Sequence, residues 1–354
     1  MKTLRKYIVK DQKVHIGLEV AKKVWKVSAR SNNIEVDLRS VKGTFESLNT
    51  YLNESYHNCA INVVYEAGFS GYSLFDSLSS VGIECIVTPP NMVVQEKCNR
   101  VKTEKTDARR LAKNLEKNDV KSCDVPDKER REDRQISRTL VGIGKDIKRV
   151  RNRIRKFFDF HGLSAELPES AWSCAFKSRI RGMSLSEPLR IALDVMLDEL
   201  EHLLNAKKLL CKKLKELTMK KKYARTFEIF KSAPGIGWLT AIRLVLEWGE
   251  DLSRFGSAES AACFSGFTQT EYSTGDRIRK GKIAKNSAPH VREWLIQCGW
   301  TSIKRDPVLL DKYERVMANT GSGKKAIVAV VRKLVGRLWA CATKDTEYCI
   351  GLVE

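Results

Sequence analysis

The sequence predicts an α/β domain at the amino terminus, then a helical arm, then a mainly α-helical domain. Three observations carry that division. Residues 13–120 alternate β-branched runs with helically spaced apolar residues. Residues 127–160 and 186–222 carry long amphipathic patterns around a mixed stretch at 162–185. From 224 to 345 the pattern stays helical, broken at Pro234-Gly235-Ile236-Gly237 and in a polar loop at 270–287. A chain of 354 residues exceeds the roughly 250–300 at which one core stops growing. The expected domains are therefore 1–125, 126–223 and 224–354.

The first domain opens with strands at Lys13–Val20, Val24–Ala29 and Ile34–Leu38, each mixing β-branched and alternating residues. Phe45, Leu48 and Leu52 place a helix over 43–52. Ala60–Tyr65 is an apolar run suited to a buried strand and ends at Glu66. A helix follows through Tyr72–Leu78, then a strand at Ile83–Val87 stopped by Pro89-Pro90, then a helix over Thr103–Leu115. Three strands, helix, strand, helix, strand, helix is an α/β order. In the arm, Ile147, Val150 and Ile154 on one helix face Leu189, Leu193, Leu197 and Leu200 on the other, the pattern of an antiparallel coiled coil.

Lys and Arg number 64 against 43 Asp and Glu, a net charge of +21. Such an excess favours a polyanionic partner, most commonly nucleic acid. It is densest at Lys145–Lys156, with seven basic residues and one acid. Lys148, Arg149, Arg151, Arg153, Arg155 and Lys156 are the expected backbone contacts there. A second basic group, Arg277, Arg279, Lys280, Lys282 and Lys285, lies in the polar loop and suits phosphate contact. No apolar run reaches the ~20 residues that cross a bilayer, and the basic amino terminus lacks the apolar stretch of a secretory signal. Ten Cys without a CxxC pair are expected to be reduced and buried. The expected place is the cytoplasm, on the nucleoid, with no membrane partner.

Four acids stand at special positions. Glu19 lies near the end of the first strand, Glu66 follows the fourth, and Glu104 and Asp107 share one face of a helix. Hard oxygen donors converging from strand ends and a helix face are what Mg²⁺ requires, with places left for phosphate oxygens. Taken singly, each is an ordinary surface carboxylate. Thr320-Gly321-Ser322-Gly323-Lys324-Lys325 is rejected as a phosphate loop: it has Ala318 for the first glycine, no hydroxyl residue after the lysine, and no preceding strand. The five His show no ligand spacing, and the Trp residues are packing groups, with Trp25 the one placed near the first motif.

His15-Ile16-Gly17-Leu18-Glu19-Val20-Ala21-Lys22-Lys23, Val64-Tyr65-Glu66-Ala67-Gly68-Phe69-Ser70-Gly71 and Lys102-Thr103-Glu104-Lys105-Thr106-Asp107-Ala108-Arg109-Arg110-Leu111-Ala112 resemble, in order, the three motifs of the DEDD transposases of bacterial insertion sequences. This is the insertion sequence 110 family, known as bridge-RNA-guided recombinases. Ala233–Gly237, Ser265–Thr268, Glu271–Gly275 and Lys324–Leu334 resemble its carboxy-terminal half. The resemblance implies an RNase H/RuvC-like first domain, a coiled coil and a helical transposase domain. It implies an Mg²⁺-binding tetrad at Glu19, Glu66, Glu104 and Asp107, and a serine nucleophile in the 272–282 loop. Thr274 stands at the usual serine position before glycine, and Ser273 beside it is the only serine of the motif. It further implies double-stranded DNA and a structured non-coding guide RNA as partners, and a homodimer or homotetramer. The family has Asp where this chain has Glu19 and Glu104. The longer side chain demands a re-spaced site or lowers metal affinity. Two other readings follow: a nucleic-acid-binding relative with weakened or lost catalysis, and a junction-resolving nuclease that attacks with water.

Overall fold

The computed structural model describes residues 12–93, 103–163, 172–252, 254–271, 280–283 and 288–351. The chain divides into two compact units at Val125/Pro126.

In the first unit, β1 (Lys13–Glu19), β2 (Val24–Ser31), β3 (Ile34–Lys42), β4 (Ala60–Glu66) and β5 (Glu84–Thr88) form one sheet in the order β3-β2-β1-β4-β5. β1–β2 and β2–β3 are antiparallel, whereas β1–β4 and β4–β5 are parallel. The β2–β3 turn is made by Asn32 and Asn33, both at positive φ, as a tight right-twisting hairpin requires. The parallel strands are linked by helices α1 (Phe45–Tyr56) and α2 (Ser73–Ser80), and α3 (Glu104–Glu116) follows β5.

Strand alternation decides what each face carries. Val14, Ile16 and Leu18 of β1 join Val63 and Tyr65 of β4 in a core completed by Leu48, Leu52, Leu74 and Leu78 from α1 and α2. The intervening residues, Gly17 and Glu19 of β1 and Val64 and Glu66 of β4, therefore face the other way. There α3 packs through Leu111 and Leu115 against Val64. Gly17 makes that contact possible, because a Cβ on it would lie 2.2 Å from the Ala108 carbonyl oxygen and 2.3 Å from the Ala112 nitrogen. Trp25 belongs to the opposite core, with its indole N–H donated to the Ala21 carbonyl, so it is a packing residue.

In the second unit, α4 (Lys128–Phe160) and α6 (Glu187–Leu217) run antiparallel, with the short α5 (Cys174–Arg181) between them. Lys220, just past α6, reaches Glu129 and Asp133 near the start of α4, and Arg153 of α4 reaches Glu199 of α6. Ile147, Val150, Ile154 and Phe158 interlock with Leu193, Leu197 and Leu200, capped by Phe176 and Ile180. The second arm helix stops at Leu217 instead of running to 222. Lys220 takes an extended conformation as the N-cap of α7 (Lys221–Ser232), and its amine is held by the two α4 carboxylates.

The remaining helices are α8 (Trp238–Trp248), α9 (Ala258–Phe264), α10 (Pro289–Ser302), α11 (Pro307–Thr320) and α12 (Gly323–Thr343). They close around Phe230, Trp248, Leu295, Val331 and Leu334. A small antiparallel hairpin, β6 (Gln269–Glu271) with β7 (Lys280–Ile283), interrupts them. The 234–237 turn is an interhelical packing joint at its first glycine: Gly235 has φ +85° and presses on Cys298 and Ser302 of α10. Thr320–Lys325 is a helix-to-helix turn, with Gly321 as the left-handed C-cap of α11. No disulfide joins the described cysteines. Only Cys298 of them is buried, and Cys263 and Cys349 are exposed, which departs from the expected burial.

The Gly17 contact yields a direct test. Gly17→Val should lift α3 from the sheet and cost about 3 kcal/mol or more. Thermal unfolding of the purified variant would show it as a clear fall in midpoint.

Candidate active site on the amino-terminal sheet

The parallel register pairs Leu18 with Tyr65, so Glu19 and Glu66 stand on the next rung, side by side at the carboxy-terminal ends of adjacent strands. Both face α3, by the alternation above, and both are half-buried. The helix runs antiparallel to β1. Its last residue, Glu116, holds Arg30 at 2.7 Å, and Arg30 is paired across the ladder with His15 near the start of β1. Its first turn, with Glu104 and Asp107, therefore lies toward the strand ends that carry Glu19 and Glu66.

That first turn is made by local chemistry. Thr103 accepts from the Thr106 N–H, and Thr106 accepts from the Thr103 N–H, a reciprocal cap. Acids in a first turn also meet the positive end of the helix dipole. Asp107 is buried and Glu104 exposed. Arg110 ties Asp107 to the sheet: its Nη2 lies 2.7 Å from Asp107 Oδ1 and 3.5 Å from Glu66 Oε1. Glu66 and Asp107 thus share one cationic group. Among the described residues, no three acidic, imidazole or thiol groups gather closely enough to hold a metal ion with the side chains as they stand.

The loop expected to carry the nucleophile connects β6 to β7. Ser273, Thr274, Arg277, Arg279 and Lys285 lie outside the described residues. Lys280 begins β7, and Lys282 on the same strand is exposed. On the arm, Lys148, Arg149, Arg153, Arg155 and Lys156 are exposed and Arg151 is half-buried. Arg149 is paired with Asp146 and Arg153 with Glu199. Arg151 and Arg155 lie over the Trp172 ring, at 5.4 and 6.0 Å from its centre. Lys148 and Lys156 project from the same helix.

A second polar cluster escaped sequence reasoning. Glu247 of α8 is 1% exposed and accepts two hydrogen bonds from Arg138 of α4, at 2.9 and 3.0 Å. His290 at the start of α10 approaches the same carboxylate at 3.1 Å, and Arg134 at 3.7 Å. Burial alone would push the Glu247 carboxyl up. The hydrogen bonds from His290 and Arg138, with the Arg138 and Arg134 charges, prevail and hold it down at about 2. The cluster pins α4 and α10 to α8. The available signal was a single acid in the otherwise apolar face of Trp238–Trp248.

Residues 227–314, from α7 into α11, match the model described as the transposase IS116/IS110/IS902 family. In this segment the chain is similar to the transposases of that family. It is 25% identical over 312 residues to “Putative transposase y4qE” of Sinorhizobium fredii, covering 80% of this chain and 75% of that protein. It is 24% identical over 248 residues to the transposase for insertion sequence element IS1533 of Leptospira borgpetersenii, covering 67% and 70%. These alignments reach well beyond the matched domain. No helix among the described residues is long and apolar enough to cross a membrane.

Because the folded carboxyl lies below its ordinary value of 4.5, Glu247 stabilises the fold fully above that pH, and the contribution fades as pH falls toward 2. Glu247→Gln should destabilise the chain at pH 7 by about 3–5 kcal/mol, the cost of stranding buried cationic partners. The difference from wild type should shrink between pH 4.5 and 2, read by denaturant unfolding across that range.

Proposed function

We propose that this chain is a DNA transposase/recombinase that cuts and rejoins strands, with Glu19, Glu66, Glu104 and Asp107 as its Mg²⁺ ligands and Ser273 or Thr274 as its nucleophile. One observation carries the reading: Glu19 and Glu66 end adjacent parallel strands on the α3 side of the sheet, and Asp107 shares a cation with Glu66. The strand order β3-β2-β1-β4-β5, with β2 antiparallel to its neighbours, supports an RNase H/RuvC-like assignment. The matched transposase domain and the transposase relatives support the reaction class.

The donor chemistry fits Mg²⁺, since all four groups are hard carboxylates and two already flank a positive charge. Bound there, the ion would supply Lewis acidity to phosphate oxygens and lower the pKa of an attacking hydroxyl. Glu19 and Glu66 would be held by the sheet ladder and Asp107 by the capped turn of α3. Glu104 is the most adjustable of the four, on the exposed first residue of the helix, where its extra methylene is easiest to accommodate. A seryl or threonyl hydroxyl needs such activation to attack a phosphodiester. Attack would form the phosphoester bond to the protein, with the DNA 3′- or 5′-oxygen leaving as the other bond breaks.

The arm at 126–223 would contact the sugar-phosphate backbone through Lys148, Arg149, Arg151, Arg153, Arg155 and Lys156. The loop would do so through Arg277, Arg279, Lys280, Lys282 and Lys285. A structured guide RNA and one or three further copies of the chain complete the proposed assembly, since two duplexes must be held together.

A strand-exchange assay with Mg²⁺, element-end DNA and the RNA encoded beside the gene tests the reading. Glu66→Gln should reduce exchange by at least about a hundredfold, as loss of one electrostatic participant commonly does. Ser273→Ala or Thr274→Ala should abolish the covalent protein–DNA adduct on denaturing gels. Cleavage that survives the double variant would identify a water-using nuclease instead. Tight RNA binding with neither cleavage nor adduct would identify a non-catalytic relative.

A further inference from the structure

We infer that Arg110 is a built-in counter-cation of the acidic site, a positioning residue that holds Glu66 and Asp107 together without metal and must withdraw when a divalent ion enters. The inference rests on the metal-site reading above and deepens it.

The geometry is specific. Arg110 lies one turn after Asp107 on α3, and a single nitrogen, Nη2, serves both carboxylates, at 2.7 Å and 3.5 Å. The guanidinium is mostly withdrawn from solvent, with 22% of its side chain exposed. Two carboxylates brought this close in a half-buried setting repel unless a positive charge stands between them. Arg110 supplies that charge from the same helix as Asp107.

The same geometry makes the arrangement releasable. Its bond to Glu66 is at the long limit for a hydrogen bond. The buried Arg110 Nε has no hydrogen-bond partner among the described residues, which leaves one donor unsatisfied. A structural arginine fork would use both edges on its carboxylates; this one offers them a single nitrogen. A cation bound by Glu66 and Asp107 would contend for the same oxygens and repel the guanidinium. Metal entry and Arg110 withdrawal are therefore one exchange. It lowers the affinity for free divalent ions and leaves Glu66 and Asp107 pre-positioned.

Mn²⁺ alone, without nucleic acid, is the probe. Binding to the full chain is measured by electron paramagnetic resonance for wild type, Arg110→Gln, Arg110→Lys and Glu66→Gln. Arg110→Gln should bind roughly tenfold more tightly than wild type, the scale of a unit charge acting at this range. It should also have a lower unfolding midpoint without metal and a larger gain on adding Mn²⁺. Arg110→Lys, which keeps the charge, should stay near wild type. Equal or weaker binding by Arg110→Gln, with Glu66→Gln still abolishing wild-type binding, overturns the counter-cation and leaves the metal site standing. Binding that is absent, or indifferent to Glu66→Gln, overturns both.

The unaltered chain gives an independent readout. Modification of Arg110 by phenylglyoxal, followed by peptide mass spectrometry, should accelerate several-fold when Mg²⁺ is added, as the guanidinium leaves its carboxylates. An unchanged or slower rate overturns the inference.

Discussion

The close approach of α3 to β1 is the constraint on which the amino-terminal site depends. A helix cannot normally lay its backbone against a strand, because the strand's side chains keep the two apart. Gly17 removes that barrier where Ala108 and Ala112 come down on the sheet. The short distance brings the first turn of α3 within side-chain reach of the strand ends. With a larger residue at 17, Asp107 would stand away from Glu66, and Arg110 could not touch both.

The electrostatics follow from that packing. A half-buried cluster of strand-end and helix carboxylates is unstable against its own repulsion, and the chain answers with Arg110. The second unit meets the opposite problem, a buried carboxylate among many arginines, at Glu247. In a chain of net charge +21, cationic partners are plentiful, and each buried acid becomes a node that ties several elements together. The two nodes differ in strength. Arg138 grips Glu247 with two short bonds, as a structural fork does, while Arg110 holds its pair through one nitrogen.

Much of the fold was legible because burial writes a period into the chain. The strands at 13–19, 24–31, 34–42, 60–66 and 84–88 lie where β-branched alternation put them, and α8 starts directly after the expected break at 234–237. The hairpin of β6 and β7 was not legible: neither Gln269-Thr270-Glu271 nor Lys280-Gly281-Lys282 carries an apolar alternation, and Gln269, Gly281 and Lys282 are exposed. The break after Leu217 was hidden for another reason. Thr218-Met219-Lys220-Lys221-Lys222 carries no proline or glycine to mark a stop, and the bend is held by Glu129 and Asp133 drawing in Lys220 from a helix some 90 residues away.

The sequence by itself determined the alternation of strands and helices, the two long arm helices, and the placing of Glu19 and Glu66 at strand ends, because these depend on neighbours in the chain. Tertiary structure alone decided that both acids face α3, that Asp107 meets Glu66 through Arg110, and that Glu247 gathers Arg134, Arg138 and His290. Apart from the Asp107–Arg110 contact within α3, those pairings join residues 43 to 113 positions apart. No local period records them, since in each unit they arise only when strand pairing or helix packing brings distant charges together in a low-dielectric setting.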